Sequence, residues 1–313
     1  MGIYNEPNIN QLTAQHYTQL YNATVRAMQA IDPALKFVAI ELADFGGWEQ
    51  QFLPPFVSGV TAQVDAVGTH FYFTCNQKDT DATVFATIPG FASGVGYIRS
   101  QLATNPALAN VPIWITENNV NADFATANSM SNCNPGESFV ADTRGSSAFF
   151  AAWRPLMFSL VGKAGAEALY HWDFPSDPQY GEFNDQTGQP RLSYWVDYWL
   201  AHMFASPPGE NLLAFKASDT TDLETLAVRN PDNSVVVMVA NYAVAAPADN
   251  NGPGSPRVVS LDVGSLGTFT AGSVLKIDSS TDAINGPTPA TIAPASPIQV
   301  TLNGYGVAFV KLQ

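Results

Sequence analysis

The stretch VPIWITENN, residues 111–119, sets an apolar run against a polar ending. Val111, Ile113, Trp114 and Ile115 suit a strand covered on both faces, the environment of a parallel sheet. Glu117 and Asn118 then close the run with polar groups. Working outward, residues 91–104 can form a helix before this strand, and TRGSSAFFAAWRPLMFSLVGK (143–163) reads as a helix after it. ALYHWDF (168–174) is a further strand and LSYWVDYWLAHMF (192–204) a further helix. Upstream, IYNEP (3–7) reads as a strand end and residues 13–32 carry apolar positions at helical spacing. FVAIELADF (37–45) is a strand, residues 47–59 hold a short, proline-interrupted helix, and VDAVGTHFYF (64–73) is another buried strand.

Strands alternating with helices predict an α/β fold with a parallel sheet. The strand ends carry Asn5 and Glu6, Glu41 and Asp44, His70 and Tyr72, Glu117 and Asn118, then His171, Trp172 and Asp173. Five successive polar strand ends fit a (β/α)8 barrel, which builds its site there, better than an open sheet with a single crevice. The pattern changes after SPPGEN (206–211). VVVMVAN, RVVSLDV, SVLKI, IQVTL and YGVAFVKL are short, β-branched and bounded by turn residues, which predicts an antiparallel β-sandwich. The expected division is therefore 1–205 for the barrel and 206–313 for the sandwich, with residues 285–297 as a loop.

Composition narrows the function. Charged residues are 13% of 313 and the net charge is −14, with Lys and Arg totalling 13. So acidic a chain argues against nucleic-acid and anionic-membrane partners, and no apolar run is long enough to span a bilayer. His16, His70, His171 and His202 fall on different elements, with no HExxH, so no metal is expected. The glycines at 90–96 make no GxGxxG, so no nucleotide cofactor is expected either. Cys75 and Cys133 each sit in a polar loop after a strand; a disulfide between them is expected, with two free thiols as the alternative, and a disulfide would fit secretion.

Glu6 and Glu117 can face each other across a barrel mouth. Two carboxyls flanking a glycosidic bond need different states, one protonated to donate to the leaving oxygen and one ionised to attack the anomeric carbon. Ending an apolar strand would favour the protonated form of Glu6, as would a charge on Glu117. NEP at 5–7 resembles the acid/base strand of the retaining glycoside hydrolases of clan A, and WITEN at 114–118 resembles their nucleophile strand. The resemblance implies Glu6 as acid/base at the end of barrel strand four, Asn5 as the contact for the sugar 2-hydroxyl, and Glu117 as nucleophile ending strand seven. FVAIE, VGTHFYF and ALYHWDF would then be strands five, six and eight. His70 and Tyr72 resemble the strand-six groups that contact the nucleophile, and Trp172 the strand-eight tryptophan beneath the sugar ring. The trailing sandwich resembles family 39 most, then families 30 and 51.

The implied substrate is an oligo- or polysaccharide or a small glycoside. Glu41 and Asp44 could bind a sugar hydroxyl or pair with neighbouring side chains, and Trp48 could stack on a sugar or pack its helix. On this reading the chain holds barrel strands 4–8 only, so a missing first half, carrying the export signal of an extracellular enzyme, is expected. The alternative is a catalytically incompetent fragment, or a carbohydrate-binding or structural protein without turnover.

Overall fold

The computed structural model describes residues 1–43, 48–204, 211–214 and 219–313. Its contacts divide the chain into two compact units, the first formed by Met1–Phe73, Thr87–Asn119 and Leu160–Trp172, the second by Thr74–Ala86, Val120–Ser159 and Asp173–Gln313.

The first unit holds α1 (Ala14–Gln29), β1 (Val38–Ala43), α2 (Trp48–Gly59), most of β2 (Ala66–Thr74), α3 (Asp81–Leu102) from Thr87 onward, β3 (Ile113–Asn121) as far as Asn119, and β4 (Ala168–Leu169), together with the last turn of α4 (Ala148–Lys163), whose other residues belong to the second unit. The strands form one sheet in chain order, β1-β2-β3-β4. β1 and β2 pair parallel from Val38↔Ala66 to Ala43↔His70, and β3 and β4 pair parallel at Trp114↔Ala168 and Ile115↔Leu169. Residues at the chain start extend the sheet: Gly2 bridges Val38 in parallel and the Val38 N–H donates to the Met1 carbonyl at 3.0 Å. Thr13 caps α1 by accepting the His16 N–H. The buried face of α1, Tyr17 and Tyr21, meets Phe52 and Phe56 of α2 with ring centroids 5.5–6.0 Å apart, aromatic packing worth about 0.5–1.5 kcal/mol per pair beyond burial.

The second unit contains α5 (Leu192–Phe204) and mostly antiparallel strands: β5 (Pro175–Ser176), β6 (Phe183–Asn184), β7 (Asn211–Leu212), β8 (Leu223–Arg229), β9 (Val235–Asn241), β10 (Arg257–Leu261), β11 (Gly272–Asp278), β12 (Ala290–Ile292), β13 (Ile298–Leu302) and β14 (Gly306–Leu312). Six form a sheet in the order β12-β11-β14-β9-β8-β7, and β10 pairs with β13. Alternate residues of β9 and β14, among them Val235, Val237, Val239, Val310 and Leu312, share one core with Leu261, Ile298, Val300 and Leu302. The other face of β9 is buried too, which is why VVVMVAN reads as an unbroken apolar run. Cys75 and Cys133 are joined as a disulfide, and Asn134 donates to the Cys75 carbonyl at 2.9 Å.

Several elements differ from their sequence reading, among them residues 3–7, which form no strand beyond the bridge at Gly2. Helix α3 starts at Asp81 and carries Pro89 inside it, so Pro89–Gly90 does not break the helix as proline and glycine ordinarily would. Strand β8, LETLAVR, has a charged residue near each end that masks it. Residues 285–297 are not loop throughout, because Ala290–Ile292 pairs with β11.

Candidate active site

Four of the residues singled out in the sequence meet within the first unit. Glu6 lies just beyond the residues that bridge β1, and its N–H donates to the Glu41 carbonyl at 3.0 Å. Asn8 clamps the same segment, since its amide donates to the Ala43 carbonyl at 2.9 Å and its carbonyl accepts the Ala43 N–H at 3.0 Å. Asn10 donates to the carbonyls of Asn5 and Glu6. Glu6 has φ of +50°, a left-handed conformation that a non-glycine residue keeps only where its surroundings over-determine it.

His70 and Tyr72 are two apart on β2 and so share a face. The His70 ring is fully buried, and its Nδ1 lies 2.9 Å from Glu6 Oε1 and 3.5 Å from Glu117 Oε2. Tyr72 donates its hydroxyl to Glu117 Oε2 at 2.8 Å. The nearest atoms of Glu6, His70 and Glu117 all lie within 4.8 Å of one another. One imidazole nitrogen thus bridges two carboxyls, and one of these carboxyls also accepts a phenol hydrogen bond. A hydrogen bond to a carboxylate is roughly twice as strong as a neutral one, so Tyr72 favours an ionised Glu117. Both carboxyls keep some exposure, 21% for the Glu6 side chain and 15% for Glu117, so a ligand can reach them.

The polar end of β3 is fixed from both sides. Asn118 is buried and donates to the Phe71 carbonyl at 2.8 Å. Asn119, also buried, donates to the Trp172 carbonyl at 2.6 Å, and the Trp172 N–H reaches the Asn118 carbonyl at 3.2 Å. These bonds lock β3 against its neighbours on either side of Glu117. Asn119 is not among the site residues expected from the sequence; its signal is the polar run TENN that closes a buried strand. Trp172 is 45% exposed and Asn5 is exposed, so both stand open to a ligand. Asp44 lies outside the described residues, as does the side chain of Trp48.

No family model matches the sequence, and no curated protein does. Solved structures match along the whole chain. A family 30 endoxylanase from Clostridium papyrosolvens C71 is 16% identical, with a TM-score of 0.62 and 64% of its own length covered. A family 39 enzyme from Xanthomonas axonopodis pv. citri is 16% identical, with a TM-score of 0.62 and 67% covered. A family 44 xyloglucanase from Paenibacillus polymyxa is 12% identical, with a TM-score of 0.66 and 65% covered. The chain shares its fold with these glycoside hydrolase structures. It spans about two thirds of the length of each of these structures. At such identities the likeness is one of fold, and the chemistry has to be argued from the site.

Proposed function

We propose that the chain carries the catalytic pair of a retaining O-glycoside hydrolase, with Glu6 as acid/base and Glu117 as nucleophile. The observation that carries this reading is the cluster itself: two carboxyls bridged by His70, with Tyr72 hydrogen-bonded to one of them. An oxygen of each carboxyl within 4.8 Å of the other favours the close spacing of retention, about 5–5.5 Å, over the roughly 6.5–9.5 Å that leaves room for a water in inversion.

In the first step Glu117 attacks the anomeric carbon while Glu6 gives its proton to the glycosidic oxygen, which departs as an alcohol. The sugar is left esterified to Glu117. In the second step the Glu6 carboxylate takes a proton from water, the water oxygen attacks the anomeric carbon, and Glu117 leaves as a carboxylate. Tyr72 supports Glu117 when its charge returns, and His70 holds the two carboxyls in register. Asn5 is assigned to the sugar 2-hydroxyl and Trp172 to the platform under the ring; their exposure suits both roles.

On this reading the sheet β1–β4, with the strand end at Glu6, corresponds to barrel strands 4–8. The strands after residue 206 form a β-sandwich, and the protein works outside the cell, where its disulfide persists. The substrate is a neutral saccharide, in keeping with so few basic residues. The structural neighbours named as a xylanase and a xyloglucanase make β-linked xylose and glucose the first sugars to try. The test is a panel of aryl glycosides with Glu117→Gln and Glu6→Gln, folding being checked by circular dichroism. Glu117→Gln abolishes turnover. Glu6→Gln lowers it by about 10²–10⁴-fold for poor leaving groups and far less for dinitrophenolate, which needs no proton. Turnover unchanged in Glu117→Gln overturns the assignment.

A further inference from the structure

We propose that Asn8 is a positioning residue of this site, whose side-chain amide stands in for the strand that Glu6 lacks and sets the acid/base carboxyl against His70. The inference rests on the functional reading above. Among the described residues, no strand ladder carries Glu6 beyond the bridge at Gly2. Residues 6–12 form a turn instead. The Glu6 carbonyl accepts the Asn10 N–H at 3.2 Å and the Asn10 side-chain amide at 3.0 Å, and the Pro7 carbonyl accepts the Leu12 N–H at 3.1 Å. These bonds are internal to the turn, so they fix its shape and not its place on the sheet.

Its place comes from contacts with β1. Ile40 pairs with Gly68 and Leu42 with Thr69, so Glu41 is an extra residue, a bulge, and its carbonyl accepts the Glu6 N–H at 3.0 Å. Asn8, only 6% exposed, makes the next contact along the strand. Its amide donates to the Ala43 carbonyl at 2.9 Å and its carbonyl accepts the Ala43 N–H at 3.0 Å. One side chain thus makes with Ala43 the pair of bonds that two residues exchange in an antiparallel ladder. Ala43 is also the register partner of His70 on β2, and His70 Nδ1 lies 2.9 Å from Glu6 Oε1. The contacts close a ring: from Glu6 along the chain to Asn8, across to Ala43, across again to His70, and back to the Glu6 carboxyl. Glu6 keeps its φ of +50° because its surroundings over-determine it, and the ring is that surrounding. Removing the Asn8 amide loosens the turn on β1, and a misplacement of about 1 Å in a reacting group can cost about 10²-fold in rate.

The variant is Asn8→Ala, assayed on phenyl and 2,4-dinitrophenyl glycosides of xylose and glucose, with folding checked by circular dichroism. The phenyl leaving group needs the Glu6 proton and dinitrophenolate does not. For the phenyl glycoside kcat/KM falls by about 10–100-fold, and for the dinitrophenyl glycoside by less than about twofold. In the Glu6→Gln background Asn8→Ala brings no further loss on the phenyl glycoside, because the group it positions is gone. Asn8→Asp keeps the size and the acceptor for the Ala43 N–H but not the donor; it shows the same discrimination between leaving groups and serves if alanine unfolds the chain. Equal losses on both glycosides, or no loss on either, overturn the inference, since a residue that only stabilises the fold does not distinguish leaving groups. If the unaltered chain turns over no glycoside, the hydrolase reading fails, and the His70 ring resonances in nuclear magnetic resonance still decide the role of Asn8. They move in Asn8→Ala as they do in Glu6→Gln; His70 signals unchanged from the unaltered chain overturn the inference.

Discussion

Replacing Gly68 with alanine probes the packing that brings Glu41 and β3 together. The added methyl would lie 2.8 Å from Glu41 Cγ, 2.9 Å from Thr116 Oγ1 and 3.0 Å from Val38 Cγ1. Carbon atoms at their optimum stand about 3.5–4.0 Å apart, so all three side chains have to retreat. They belong to β1 and β3, on the two sides of β2, so retreat on one side does not relieve the other. Overpacking of this kind costs about 1–3 kcal/mol, which at a urea slope of about 1–3 kcal/mol/M lowers the unfolding midpoint by roughly 1 M. The assay is urea unfolding of wild type, Gly68→Ala, Glu41→Ala and the double variant. Removing Cγ of Glu41 takes away the tightest contact, so alanine at 68 costs about 1 kcal/mol less in that background, a coupling of the size expected for residues in contact. A Gly68→Ala protein within about 0.5 kcal/mol of wild type, or a cycle that closes additively, would refute the packing of the Glu41 side chain against Gly68.

Two further outcomes follow from the same structure. Cys75 and Cys133 close a loop with a sequence separation of 58, and the chain-entropy estimate for a loop of that length is about 4 kcal/mol; Cys75→Ser with Cys133→Ser lowers the urea midpoint accordingly, and a loss under about 1 kcal/mol contradicts this. The carboxyl of Glu41 has a folded-state pKa above its ordinary 4.5, so between those two values the native state binds more protons than the unfolded one. Unfolding free energy therefore falls as pH rises through that window. Glu41→Gln lacks this loss, so its advantage in urea midpoint over wild type grows with pH across the window; a constant difference shows that Glu41 ionises as freely as in the unfolded chain.

Much of the site is legible in the sequence because buried strands announce themselves and end in residues that have no reason to be there structurally. His70, Tyr72 and Glu117 each lie in or after an apolar run, and the parity of His70 and Tyr72 puts them on one face; the expected strand end at 3–7 is only a bridge at Gly2, so Glu6 is held by its own hydrogen bond to Glu41 and not by a strand. The bulge in β1 is not legible. FVAIELADF contains no glycine at the irregular positions, and its apolar alternation reads as one regular strand, so only the backbone reveals the bulge at Glu41. The room its side chain takes beside Gly2 and Gly68 is equally hidden, since those residues matter through space. ALYHWDF reads as a full strand, yet its ladder covers only Ala168–Leu169. Beyond Leu169 its backbone goes to other partners, such as Asn118 and Asn119, whose contribution depends on register across strands. The Asn119 side chain shows its purpose only once the neighbouring strand is in place.

The central claim is that Glu117 forms a bond to the sugar. The most direct measurement is trapping with 2-deoxy-2-fluoro glycosyl fluorides of xylose and glucose, followed by peptide mass spectrometry. The account predicts one equivalent of label on the peptide containing Glu117, with none in Glu117→Gln. Label on a different carboxylate, or glycoside turnover with no covalent adduct and an inverted product, would contradict it.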